Sequence, residues 1–103
     1  MENQHRLIKG YRELSAEEIA LMNESKELAE KVGALVRTID EHVTKLTMKA
    51  IDASNFRGQE PAVQAEVSRL YEAEPQEWVK EAKKTLQTGF MQLNRAIAQP
   101  TTF

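Results

Sequence analysis

The stretch 15–53, SAEEIALMNESKELAEKVGALVRTIDEHVTKLTMKAIDA, decides the fold. It opens on Ser15-Ala16-Glu17-Glu18, a capping box in which the Ser15 hydroxyl closes the helix start and Glu18 bonds back. Glu17 and Glu18 also suit the positive end of the helix dipole, and Leu14 is placed to staple against Ile19. Apolar residues then recur at steps of three and four through Ile19, Met22, Ala29, Val32, Leu35, Val36, Ile39, Val43, Leu46, Ala50 and Ile51, with no proline between them. That spacing predicts one long amphipathic helix, or two nearly collinear ones broken near Asp40.

Working outward, Gly10 ends a basic opening segment, 1–14, that holds His5, Arg6, Lys9 and Arg12. On the other side, Ser54-Asn55-Phe56-Arg57-Gly58-Gln59 reads as a loop, taken to span 54–60. Pro61 suits a first helical position and opens a short helix to about Ala73. Pro75 repeats the device and opens a last helix with Trp78, Ala82, Leu86, Phe90, Leu93 and Ile97 along one side and Gly89 near it. Pro100 closes that helix and leaves a tail, 100–103. No alternating β-branched run persists, so the class is all-α, a single helical domain over 1–103.

Composition narrows the function classes. The 103 residues carry 14 Lys and Arg against 16 Asp and Glu, a formal net charge of −2. Such a balance does not suit a duplex-DNA binder that lives on phosphate contacts. It leaves room for a small anion held by a few placed cations. Cysteine is absent and only His5 and His42 represent histidine, so disulfides, thiolate catalysis and Cys-ligated zinc are excluded and a metal centre is not expected. No apolar run reaches the roughly 18–20 residues of a membrane span. Met1–Gly10 lacks the apolar core of a secretory signal. No cofactor site stands out, nor any nucleophile–base pair, so an enzyme is not expected.

The long helix, at roughly 55 Å, exceeds what two shorter helices cover in a domain of radius of gyration ~13 Å. A symmetric homo-oligomer answers that mismatch. Gly33 agrees with it, since a helical glycine costs about 1 kcal/mol and permits close helix approach. Stepping the seam by heptads gives Ile19, Met22, Lys26, Ala29, Gly33 and Val36, which puts Lys26 where an apolar residue is expected. Lys26 then snorkels, pairs with Glu30 at i,i+4, or meets a ligand anion. Tyr11, before the helix cap and beside cations, is either a packing aromatic or a stacking platform for a nucleobase. A twofold axis turns one tyrosine and one lysine into two platforms and two cations.

His5-Arg6-Leu7-Ile8-Lys9-Gly10-Tyr11-Arg12-Glu13-Leu14, Glu18-Ile19, Met22-Asn23 and Lys26 resemble the phage anti-CBASS cyclic-oligonucleotide sponge family. So do Trp78-Val79, Leu86-Gln87-Thr88-Gly89-Phe90-Met91, Leu93, Arg95-Ala96, Ala98-Gln99-Pro100 and Phe103. The two blocks frame a divergent middle, about 41–74. The resemblance implies a small helical protein that assembles as a homohexamer in the cytoplasm of the infected bacterium. It implies sequestration, without cleavage, of the cyclic oligonucleotide messengers of CBASS immunity, cyclic dinucleotides such as cyclic GMP–AMP and also cyclic trinucleotides. By the same resemblance, Tyr11 stacks on a base and Lys26 holds a phosphate of the dinucleotide; from spacing alone, Arg12 and Asn23 are near enough to join. For a trinucleotide at a threefold position, Glu77 stands where related sequences carry a basic residue just before the tryptophan; Lys83 and Arg95 are then the fallback cations, the alternative for each being a solvated or paired helix charge, and Trp78 is either a core residue or a ligand platform. The alternative from the residues alone is a helical scaffolding oligomer with no small ligand.

Overall fold

The computed structural model describes residues 12–102. Three helices follow one another: α1 (Ala16–Arg57), α2 (Pro61–Ala73) and α3 (Pro75–Ala98). The all-α class is as the sequence predicts, with one long helix and a C-terminal helix.

The start of α1 is the capping box read from the sequence. The Glu18 amide donates to Ser15 Oγ at 3.1 Å, and the Ser15 amide donates to Glu18 Oε1 at 2.9 Å. α1 is a single helix of 42 residues, with no break at Asp40. It also overruns its expected end: Ser54, Asn55, Phe56 and Arg57 are helical, and the expected loop at 54–60 shrinks to Gly58, Gln59 and Glu60. These four residues are polar or aromatic but contain no helix breaker, and Arg57 complements the negative end of the dipole. Gly58 is the first residue that stops the helix.

Pro61 opens α2 after an extended Glu60 (φ −71°, ψ 132°), and its missing N–H costs nothing in the first turn. Glu74 alone separates α2 from α3. Its backbone is left-handed (φ 48°, ψ 51°), and its amide donates to the Leu70 carbonyl at 3.0 Å. α3 ends in the same way at Gln99 (φ 53°), whose amide reaches the Arg95 carbonyl at 2.8 Å, before Pro100.

The chain forms two compact units, the described residues of Met1–Val32 with Thr85–Phe103, and Gly33–Lys84. In the first, the opening part of α1 and the closing part of α3 are tied as an antiparallel hairpin. Ser25 Oγ donates to Asn94 Oδ1 at 2.7 Å, and Arg12 Nη2 donates to the Ile97 carbonyl at 3.0 Å. The second packs the remainder of α1 with α2 and the first turns of α3. The buried residues Val43, Ala50 and Leu70 all belong to it. Among the described residues the first unit buries none, and it leaves Ile19, Leu28, Met91 and Leu93 at 49%, 53%, 69% and 57% exposure.

Candidate functional site

In the first unit, Asn23 and Lys26 lie one turn apart on α1, and both are exposed. The heptad seam misplaces Lys26. The half-buried stripe of α1 runs Met22, Ser25, Ala29, Val32 and Gly33, then Val36. The packed face keeps its seven-residue steps, from Met22 to Ala29 to Val36 and from Ser25 to Val32, but its alternate positions lie one residue before those of the expected seam. Ser25 takes the seam position because its small hydroxyl reaches Asn94, and Lys26 moves one place around into solvent. Ile19, the first residue of the expected seam, is exposed for the same reason. Among the described residues, Lys26 pairs neither with Glu30 nor with any other carboxylate. Tyr11 lies outside the described residues.

Arg12 is engaged. Its Nη1 donates to Glu18 Oε1 at 3.2 Å, and its Nη2 donates to Glu18 Oε2 and to the Ile97 carbonyl. The Arg12 Nε is closed off from solvent and has no hydrogen-bond partner among the described residues. The guanidinium fork and the Ser15 amide hold the Glu18 carboxyl down at about 2, and Glu18 in turn raises Arg12. Nothing in the sequence pattern pointed to this bond network. Glu18 is legible as a cap, but its second partner and the α3 carbonyl lie outside any local window.

The residues implied for a trinucleotide are divided. Trp78 and Lys83 belong to the second unit and Arg95 to the first. Trp78 is 67% exposed, unlike a core tryptophan. Lys83 is exposed, and Arg95 Nη2 donates to the Thr102 carbonyl at 3.3 Å.

The second unit contains a cleft of about 650 Å³ between the end of α1, α2 and the start of α3. Ala50, Ile51 and Leu70 supply apolar lining, and Glu72, Glu74 and Glu77 line it as well, with no Lys, Arg or His among its described residues. Carboxylates of one sign repel a phosphate, so this cleft does not suit an anionic ligand. The sequence had singled out only Glu77 of these.

Among the described residues no cluster of His, Asp and Glu is arranged to hold a metal ion. No described helix is long and apolar enough to cross a membrane. In the first unit, Lys26 and Asn23 place an ammonium, unpaired among the described residues, and an amide on one turn of α1.

Known proteins agree with a hairpin. The sequence model of the family described as Acb2/Tad1, hairpin domain, matches residues 3–98. The chain is 40% identical over 106 aligned positions to Anti-CBASS protein 2 of Pseudomonas phage JBD67, an alignment that covers 97% of each chain. With a family match over nearly its whole length and a relative of this closeness, the chain belongs to the Acb2/Tad1 hairpin-domain family.

Proposed function

We propose that this protein sequesters the cyclic oligonucleotide messengers of CBASS immunity without cutting them, and so keeps them from their effector in the infected host's cytoplasm. The observation that carries the reading is Lys26. In a chain similar end to end to Anti-CBASS protein 2, it is exposed on α1 and has no carboxylate partner among the described residues. A free ammonium is a point charge available to a phosphate.

The proposed ligand is a cyclic dinucleotide such as cyclic GMP–AMP. Lys26 holds a phosphate and Tyr11 stacks on a base, with Asn23 one turn away. A twofold axis supplies each residue twice, which matches a ligand of two bases and two phosphates. Self-association, as a hexamer by the family resemblance, is supported by the first unit, which buries no described residue while exposing Leu28, Met91 and Leu93. Gly89 adds to this. Among the described residues a Cβ built there meets nothing within 4 Å, so packing among them gives no reason for a helical glycine that costs about 1 kcal/mol relative to alanine. Close approach of a second copy supplies one.

A cyclic trinucleotide at a threefold position is the secondary ligand of this reading, with Trp78, Lys83 and Arg95 as its residues. Their division between units suits contributions from several protomers, and Glu77 opposes a phosphate there.

Charge reversal tests the assignment. Lys26→Glu is expected to abolish binding of cyclic GMP–AMP with the assembly intact by sedimentation. Tyr11→Ala is expected to weaken binding and Tyr11→Phe to be milder. A Lys26→Glu protein that binds like the parent removes the phosphate assignment.

A further inference from the structure

We infer that Arg12 is a positioning residue of the cyclic-dinucleotide site and not one of its phosphate ligands, an inference that rests on the sequestration reading above. Arg12 follows Tyr11 directly, and adjacent Cα atoms lie ~3.8 Å apart across a trans peptide. Whatever fixes Arg12 therefore limits where Tyr11 starts. Two contacts fix it. Both terminal nitrogens bond the Glu18 carboxylate. One of them also donates to the Ile97 carbonyl, 85 residues away in the chain. The fork thus ties the segment before α1 to the cap of α1 and to the last turn of α3 at once.

A phosphate ligand needs a cation that is free, or one that becomes free at little cost. Arg12 is neither. To meet a phosphate it must leave a bidentate carboxylate, a charge-assisted fork of the same kind as the one it would gain, and also uncap a carbonyl at the end of α3. Glu18 cannot follow it, because its Oε1 also accepts from the Ser15 amide. Lys26, exposed and without a partner among the described residues, carries no such cost. The two cations therefore divide the work: Lys26 meets the ligand, and Arg12 fixes the chain at the residue that follows the stacking tyrosine. Fixing that point before the ligand arrives lowers the ordering cost of binding.

Titration of the assembled protein with cyclic GMP–AMP separates the two roles for Arg12. The informative variant is Glu18→Gln, because Gln still serves a capping box while the charge facing Arg12 is lost. Under the positioning role, Glu18→Gln and Arg12→Ala each weaken binding by about tenfold, and the double variant is no weaker than either. Arg12→Lys, which keeps the charge but loses the fork, weakens binding as well. The salt dependence of the affinity is unchanged in all of them, because no phosphate contact is lost.

If Arg12 were a phosphate ligand, Glu18→Gln would leave binding unchanged or tighten it by freeing a cation, and Arg12→Ala would flatten the salt dependence. Either result overturns the inference. A fluorine label on Tyr11, as 3-fluorotyrosine in a Tyr71→Phe background, gives a readout that a purely stabilising role would not move. Its resonance in the ligand-free protein is expected to shift in Glu18→Gln, and an unmoved resonance contradicts the positioning role. Should the parent bind no cyclic dinucleotide, the sequestration reading fails and this role fails with it. Should the parent bind and Glu18→Gln bind equally, the positioning role alone fails.

Discussion

Ser25 and Asn94, 69 residues apart in sequence, share a 2.7 Å hydrogen bond that joins the two arms of the hairpin in the first unit. Both side chains are half-buried, and no described residue of that unit is fully buried. A polar pair thus stands where a larger core would place two apolar side chains. Ser25→Ala removes the donor and leaves the Asn94 oxygen short of a partner, a loss of about 1 kcal/mol. Thermal unfolding is expected to shift down by about 4–8 °C for a domain this small. An unchanged midpoint would mean that the pair carries no stability.

Glu18 makes the first unit sensitive to acid. Its carboxyl sits at about 2 in the folded chain, below its ordinary 4.5, mainly through the Arg12 hydrogen bond and then the Ser15 amide. The depressed value means that the folded state favours the ionised form. Its contribution is complete above about 4.5 and is lost as pH falls toward about 2. Glu66, lowered by Arg69 on α2, acts in the same direction. Melting followed across that window is expected to fall less steeply in Glu18→Gln than in the parent. Parallel curves would contradict a role for the Arg12 pair in acid stability.

These two networks show what a sequence reveals and what it hides. The capping box and the prolines at the starts of α2 and α3 are legible because each signal sits within four residues of its effect. The bonds from Arg12 to Ile97 and from Ser25 to Asn94 are hidden, since they join residues 85 and 69 positions apart. Lys26 was legible as an unusual cation but not at its true place, because an apolar seam passes over a serine that packs through a hydrogen bond. The end of α1 was read too early because Ser54 and Asn55 look like loop residues although nothing before Gly58 breaks a helix. Pro75 marks the joint between α2 and α3, but the left-handed backbone at Glu74 is unmarked, for neither glycine nor asparagine stands there.

Gly58 is required where α1 stops. A Cβ there would lie 2.4 Å from the Ser54 carbonyl oxygen and 3.4 Å from its carbon. Both are backbone atoms and cannot swing aside. Gly58→Ala is expected to destabilise the second unit by about 1–3 kcal/mol, read as a lower midpoint in denaturant. A neutral substitution would show that the turn relaxes freely.

Gly89 bears on self-association. Among the described residues nothing lies within 4 Å of a Cβ built there, and Gly89→Leu improves helix propensity. If a second copy packs closely there, the added side chain forces the two apart. Sedimentation velocity is expected to show smaller species for Gly89→Leu than for the parent, with helical circular dichroism retained. The same assembly in both proteins would place the interface elsewhere.

Sequestration itself is tested by mixing the purified protein with cyclic GMP–AMP, measuring the heat of binding, and recovering the nucleotide after heat denaturation. The account predicts saturable binding, a raised melting temperature, and return of the intact cyclic dinucleotide. No heat and no melting shift would contradict it, and so would recovery of a linear product.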